Sequence, residues 1–113
     1  MTYRDEDRLE LILELIAHID RRLEGQSRAQ FAADRDEIDL TAYRLSIIGE
    51  NCSKLPEVMR ARHNHIEWTD MVAMRNVIAH DYAGIDANLV WETLGADLVA
   101  LAEVCRMELV AEG

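Results

Sequence analysis

Basic charge is scarce in this sequence: 12 lysines and arginines stand against 22 acids, a formal net charge of −10. That excludes a protein that coats phosphate backbones by bulk attraction, since such surfaces are basic. Cysteine is nearly absent. Cys52 and Cys105 are isolated thiols on apolar faces without C-x-x-C spacing, so they read as small core residues in a reducing, cytoplasmic compartment. No apolar run reaches the roughly 18 residues that a membrane span requires. The N-terminus, Met1–Thr2–Tyr3–Arg4–Asp5–Glu6–Asp7, lacks the basic start and apolar centre of a secretory signal. Glycine-rich phosphate loops, internal repeats and low-complexity linkers are missing too, and no segment alternates with period two over more than a few residues.

What is present is helical periodicity. The 113 residues suffice for one domain, 1–113, burying roughly two thirds of its unfolded surface. From Asp5 to Glu24, Leu9, Ile12, Leu13, Ile16, Ile19 and Leu23 recur at three and four, with Asp5 as N-cap and Gly25 just past the end. Ser27 can cap a short turn through Phe31–Ala32–Ala33. Asp34, Asp36 and Glu37 then open a second long helix with the apolar stripe Ile38, Leu45, Ile48, Cys52 and Leu55. Inside it, Gly49 costs about 1 kcal/mol relative to alanine. Another backbone packed close, within the chain or from a second subunit, would offset that. Pro56, the only proline, ends this helix and opens a short one to about Arg62.

His63–Asn64–His65–Ile66–Glu67–Trp68 reads as a loop. Its H-x-H-x-E pattern has no further placed ligand, so no metal is assigned. Thr69 is expected to cap a central helix that continues to about Tyr82–Gly84. Asp86 is expected to cap a last helix running to about Val110, with Leu89, Val90, Leu94, Leu98, Leu101, Val104, Cys105 and Leu109 inward. The fold class is all-α: an antiparallel helical bundle of three or four main helices plus short ones.

The central stretch, Met74–Arg75–Asn76–Val77–Ile78–Ala79–His80–Asp81–Tyr82, carries unusual polar groups for an apolar helix. At about 100° per residue, Asn76 and His80 are i,i+4 neighbours and Arg75 and Tyr82 fall within about 20° of one another. A histidine can exchange a proton near neutrality. An arginine clamps a phosphate and the charge that develops on it. Together they are a minimal set for cleaving RNA without a metal. Alone, R-x-x-x-x-H is an unspecific pattern. Charge adds a direction of approach: between Leu40 and Ile66, Arg44, Lys54, Arg60 and Arg62 outnumber Glu50 and Glu57, leaving a net +2 while the remainder carries −12. Lys54, Arg60 and Arg62 are therefore the candidates for guiding an anionic ligand.

Arg75–Asn76–x–x–x–His80–x–Tyr82, preceded by Ile66–Glu67–Trp68–Thr69 and by Leu45–Ser46–Ile47–Ile48–Gly49–Glu50–Asn51, resembles the HepT toxins of the HEPN superfamily. The Asp86–Ala87–Asn88–Leu89–Val90–Trp91 entry to the last helix is similar as well. The resemblance spans nearly the whole chain. It implies a prokaryotic, all-helical homodimer with a metal-independent RNase site at the dimer cleft, needing no cofactor and leaving a 2′,3′-cyclic phosphate. It also implies a toxin–antitoxin pair (type VII-like) in which a minimal nucleotidyltransferase antitoxin attaches AMP to the motif tyrosine. By that resemblance Arg75, Asn76 and His80 are catalytic and Tyr82 is the modification site. A second reading keeps the dimer but makes it a non-catalytic nucleotide- or partner-binding module for the nucleotidyltransferase; the acidic balance, with little general affinity for RNA, gives this alternative some weight.

Overall fold

A computed structural model describes residues 4–76 and 85–112. Three long helices form the body: α1 (Asp5–Leu23), α3 (Arg35–Ser53) and α7 (Ala96–Glu112). Shorter helices fill the connections: α2 (Arg28–Ala32), α4 (Glu57–Ala61), α5 (Trp68–Ala73) and α6 (Ala87–Thr93), with a 3-10 turn at Met74–Asn76. No strand occurs among the described residues, and none of their helices is long and apolar enough to cross a membrane. The chain is the all-α helical bundle that its periodicity predicts.

Polar contacts between helices fix their directions. Arg8 near the start of α1 donates to Asn51 near the end of α3 at 3.3 Å, while Arg22 at the other end of α1 pairs with Glu37 at 2.8 Å. The two helices therefore run antiparallel. α7 also lies against α1, and its first turns meet the end of α1 around Asp20 and Leu94. Between the three helices sit Leu9, Ile12, Ile16, Ile38, Leu45, Ile48, Leu98, Leu101 and Val104, all buried. Cys52 and Cys105 are fully buried among them, and burial pushes both thiols up to about 12.

Local chemistry explains most of the boundaries. The N-terminus of α1 is one residue earlier than expected: Arg4 is the N-cap, and its backbone N–H donates to Asp7 at 3.0 Å, tying down the first turn. Gly25 follows α1 with φ +82°, a left-handed conformation that glycine adopts without a Cβ penalty. Ser27 accepts from Gln30 N–H at 3.1 Å and Asp34 from Glu37 N–H at 3.2 Å, capping α2 and α3. Phe31 of α2 is wholly buried and packs on Trp91 of α6, ring centroids 5.2 Å apart.

Two boundaries depart from the pattern. α5 begins at Trp68 behind Glu67, not behind Thr69. The indole decides this: Trp68 Nε1–H donates to the Arg60 and His63 carbonyls at 2.9 and 3.0 Å, drawing Trp68 into the helix start. The expected last helix is two helices, broken at Leu94–Gly95. There the Leu94 and Gly95 N–H groups bond back three residues, to Trp91 and Glu92. Gly95 carries the usual helix penalty of glycine, and the break shifts the phase of α6. Leu89, expected inward, is consequently 61% exposed while Val90 is buried.

A buried charge cluster joins the end of α7 to the segment after α4. Glu108, 5% exposed, accepts from Arg62 at 2.7 Å and lies 2.6 Å from His63 Nε2. His63, a conceivable metal ligand by sequence, is thus buried against a carboxylate, whereas His65 is exposed. Hydrogen bonding from Arg62, then from His63, holds the Glu108 carboxyl below its ordinary value of 4.5, against the opposing effect of burial. A lowered folded value means that this contribution to stability is complete above the ordinary carboxylate range and is lost as pH falls through the folded value. The loss of stability below about pH 4.5 should accordingly be shallower in Glu108→Gln. At pH 7 the variant, which leaves the Arg62 and His63 donors a neutral partner, should be less stable by about 1–3 kcal/mol in urea titrations.

Candidate functional site

The turn that carries Arg75 and Asn76 is set by a contact with α3. A Cβ built on Gly49 would lie 2.6 Å from the Arg75 amide nitrogen, 2.8 Å from the Met71 carbonyl oxygen and 3.2 Å from the Met74 carbonyl carbon. Only glycine lets two backbones approach this closely. The close packing that Gly49 calls for is therefore inside the chain, and it falls directly on the motif.

At that contact α5 stops. Met74 bonds back to the Met71 carbonyl, and Met74–Asn76 tighten into a 3-10 turn where the pattern predicts an uninterrupted α-helix. Met71 and Met74 are buried and anchor the segment; Arg75 and Asn76 are exposed. The turn thus fixes its backbone against α3 and leaves the two polar side chains facing outward. His80 and Tyr82, with the expected i,i+4 pairing of Asn76 and His80 and the alignment of Arg75 with Tyr82, lie outside the described residues.

Arg75 has a counter-charge that the sequence reading gave no role. Glu50, next to Gly49, has Oε2 3.9 Å from Arg75 Nη1 and Oε1 3.3 Å from Lys54 Nζ. One carboxylate is shared by two cations. All three side chains are about half exposed, so the pairs are loose and contribute little to stability. The signal for the Lys54 pair was local, an i,i+4 spacing on α3; nothing local pointed to Arg75.

The other guiding candidates are not equivalent. Arg62 is engaged by Glu108. Arg60 is half-buried with its Nε lacking a hydrogen-bond partner among the described residues, and its carbonyl holds Trp68. Lys54 is linked to Arg75 through the shared Glu50. The locally positive stretch is therefore partly neutralised in three dimensions by acids, one of them 46 residues away.

A groove of about 430 Å³ opens beside the same turn, lined by Leu45, Met71, Met74, Val90 and the acids Asp70 and Asp97, among others. Its rim carries Asp86, whose side chain accepts from the Asn88 and Leu89 N–H groups at 2.9 and 3.4 Å and caps α6.

Gly49→Ala isolates the effect of the close approach. Alanine gains about 1 kcal/mol of helix propensity, but the new methyl meets backbone, and overpacking of this kind costs typically about 1–3 kcal/mol. The variant should unfold at lower urea concentration than the wild type, with an unchanged slope, reversing the usual benefit of replacing a helical glycine. An increase in stability would show that the two backbones separate freely.

Known proteins are similar to this chain in sequence. A protein of Methanocaldococcus jannaschii named as both a gamma-glutamylcyclotransferase and a candidate RNase is 33% identical over 92 residues, covering 81% of this chain and 41% of the relative. The chain thus matches about two fifths of that protein's length. A candidate RNase of Caldanaerobacter subterraneus subsp. tengcongensis is 31% identical over 104 residues, 92% of this chain and 93% of the relative. The probable ribonuclease HepT of Thermococcus cleftensis is 30% identical over 96 residues, 85% of this chain and 87% of the relative. No solved structure matches. The family described as ribonuclease HepT-like matches residues 12–108, from the first long helix through the Gly49–Arg75 contact to Glu108, and the chain belongs to that family.

Proposed function

We propose that this protein is a metal-independent endoribonuclease, the toxin of a type VII-like toxin–antitoxin pair, with Arg75, Asn76 and His80 as catalytic residues. The observation that carries the reading is the exposed Arg75–Asn76 pair on a turn whose backbone is pinned to α3, in a chain of the HepT-like family. A guanidinium on a fixed backbone suits a role in which charge appears on a phosphate during reaction, because no reorganisation is needed at that moment.

In the proposed reaction a base takes the proton of the RNA 2′-hydroxyl. The 2′-oxygen forms a bond to phosphorus, the bond from phosphorus to the 5′-oxygen breaks, and an acid protonates that leaving oxygen. The products are a 2′,3′-cyclic phosphate and a 5′-hydroxyl. Arg75 stabilises the crowded phosphate, Asn76 orients the phosphate or the imidazole, and His80 exchanges the proton. One chain has one motif histidine, whereas the reaction uses an acid and a base. A homodimer with the Arg75–His80 faces of two chains lining one cleft supplies the second. Lys54, Arg60 and Arg62 steer RNA inward. Because Arg62 also holds Glu108, the steering role is better read at Lys54 and Arg60, where charge reversal should weaken RNA binding and flatten its salt dependence.

Cleavage of RNA by the purified protein should vanish in His80→Ala and fall by about 10²–10³ in Arg75→Ala, and should continue in EDTA. A reaction that EDTA stops and magnesium restores overturns the mechanism.

The proposed partner is a minimal nucleotidyltransferase antitoxin that transfers AMP from ATP to the Tyr82 hydroxyl with release of pyrophosphate. The adduct brings a negatively charged phosphate and an adenosine into the cleft, occupying the Arg75 clamp and repelling an incoming backbone. Incubation with the nucleotidyltransferase and ATP should add one AMP at Tyr82 by mass spectrometry and abolish cleavage, while Tyr82→Phe takes no adduct and remains active. An adduct elsewhere, or a modified protein that cuts RNA at the original rate, removes Tyr82 from the scheme.

A further inference from the structure

The outer side of α7 is more apolar than a solvated helix face requires. Leu98, Leu101, Ala102, Val104, Cys105 and Glu108 are buried on its inner side. On the opposite side Val99 is 65% exposed, Met107 59% and Val110 80%. Half of the large apolar residues that stand exposed among the described residues belong to this one helix.

Their arrangement specifies a partner. Val99, Glu103, Arg106 and Val110 are spaced four, three and four apart, which places them in one stripe along α7, apolar at its ends and charged at its centre. At about 100° per residue they fall within a band of about 60°. The seam is also symmetric about the point between Val104 and Cys105. When a copy of the same helix is laid against it antiparallel, Val99 meets Val110, Glu103 meets Arg106, and each pairing occurs twice. A parallel copy instead brings Glu103 towards Glu103 and Arg106 towards Arg106, which repel. Glu103 and Arg106 are both exposed, and neither forms an ion pair with a described residue.

We propose that α7 is a self-complementary interface through which two copies of this chain associate antiparallel, with valine pairs at the two ends of the seam and two Glu103–Arg106 pairs at its centre. The occupant is a second copy because residue i contacts j and j contacts i, the condition for a two-fold interface. A lipid surface would have to accept two charges at the centre of the patch. The central ion pairs set direction and register, as polar groups in helix seams do, while the valines supply apolar burial. Met107 flanks the seam and extends it. A groove of about 120 Å³ runs beside it between α1 and α7, lined by Ile16, Asp20 and Leu98 with Val99 and Arg106.

This surface is separate from the motif. The 3-10 turn of Arg75 packs on α3 and α5, whereas α7 packs on α1 and α6. The α7 pairing therefore does not rest on the ribonuclease reading or on its cleft dimer. Both associations together give four chains; α7 alone gives two.

Charge exchange tests it. In sedimentation velocity at micromolar concentration, Glu103→Arg and Arg106→Glu should each halve the mass of the wild-type assembly, from four chains to two or from two to one. Circular dichroism should show unchanged helicity, since both positions are on the surface. An equimolar mixture of the two variants should recover the wild-type mass, as should the double variant Glu103→Arg/Arg106→Glu, because each restores opposite charges across the seam. Register is read by oxidative cross-linking. Val99→Cys mixed with Val110→Cys should give a disulfide-linked pair that neither gives alone, with the native thiols shielded by burial. Single variants that keep the wild-type mass, a mixture that fails to recover it, or Val99→Cys linking to itself would each overturn the proposal.

Discussion

The approach of the Met71–Arg75 backbone to Gly49 is the constraint on which the rest of the structure depends. It joins the packing of α3 against α5 to the segment that carries the exposed Arg75 and Asn76. A side chain on Gly49 would hold the two backbones apart. Without one, the contact ends α5, tightens the next three residues into a 3-10 turn and fixes the origin of the Arg75 side chain. The helix propensity forfeited at Gly49, about 1 kcal/mol, is balanced by close packing of two buried methionines, Met71 and Met74, against α3.

Around that contact, the residues by which the chain resembles its family divide into two kinds. Several hold geometry. Trp68 ties two carbonyls of the preceding segment, Asp86 caps α6, and Asn51 accepts from Arg8 while donating to the Ile47 carbonyl. Arg75 and Asn76 hold nothing comparable among the described residues and are exposed. A polar residue that the fold does not use is the better candidate for chemistry, and the proposed catalytic assignment follows that division.

The fold was largely legible in the sequence because its signals are local. The stripe of α1, the Ser27 and Asp34 caps, the left-handed Gly25 and the break at Pro56 all depend on neighbours within a few positions. What escaped depends on distance along the chain. The Arg62–His63–Glu108 cluster joins residues about 45 apart, so His63 read only as part of a loop and Arg62 as a guiding cation. The break at Leu94–Gly95 was masked by a run of leucines that fits one long helix as well as two. The candidate site was legible as residue types, and Gly49 correctly flagged a close approach. Spacing alone did not reveal that the approach lands on Arg75, or that Glu50 stands beside it.

Glu50 has a consequence for any anion that reaches Arg75. The carboxylate lies between Lys54 and Arg75, so Arg75 already faces an anion belonging to the protein. Binding there is an exchange of one anion for another. The looseness of the 3.9 Å contact makes the exchange inexpensive, and the tether on α3 keeps the displaced carboxylate nearby to return. Glu50 is thus the charge that an anion arriving at Arg75 would have to displace.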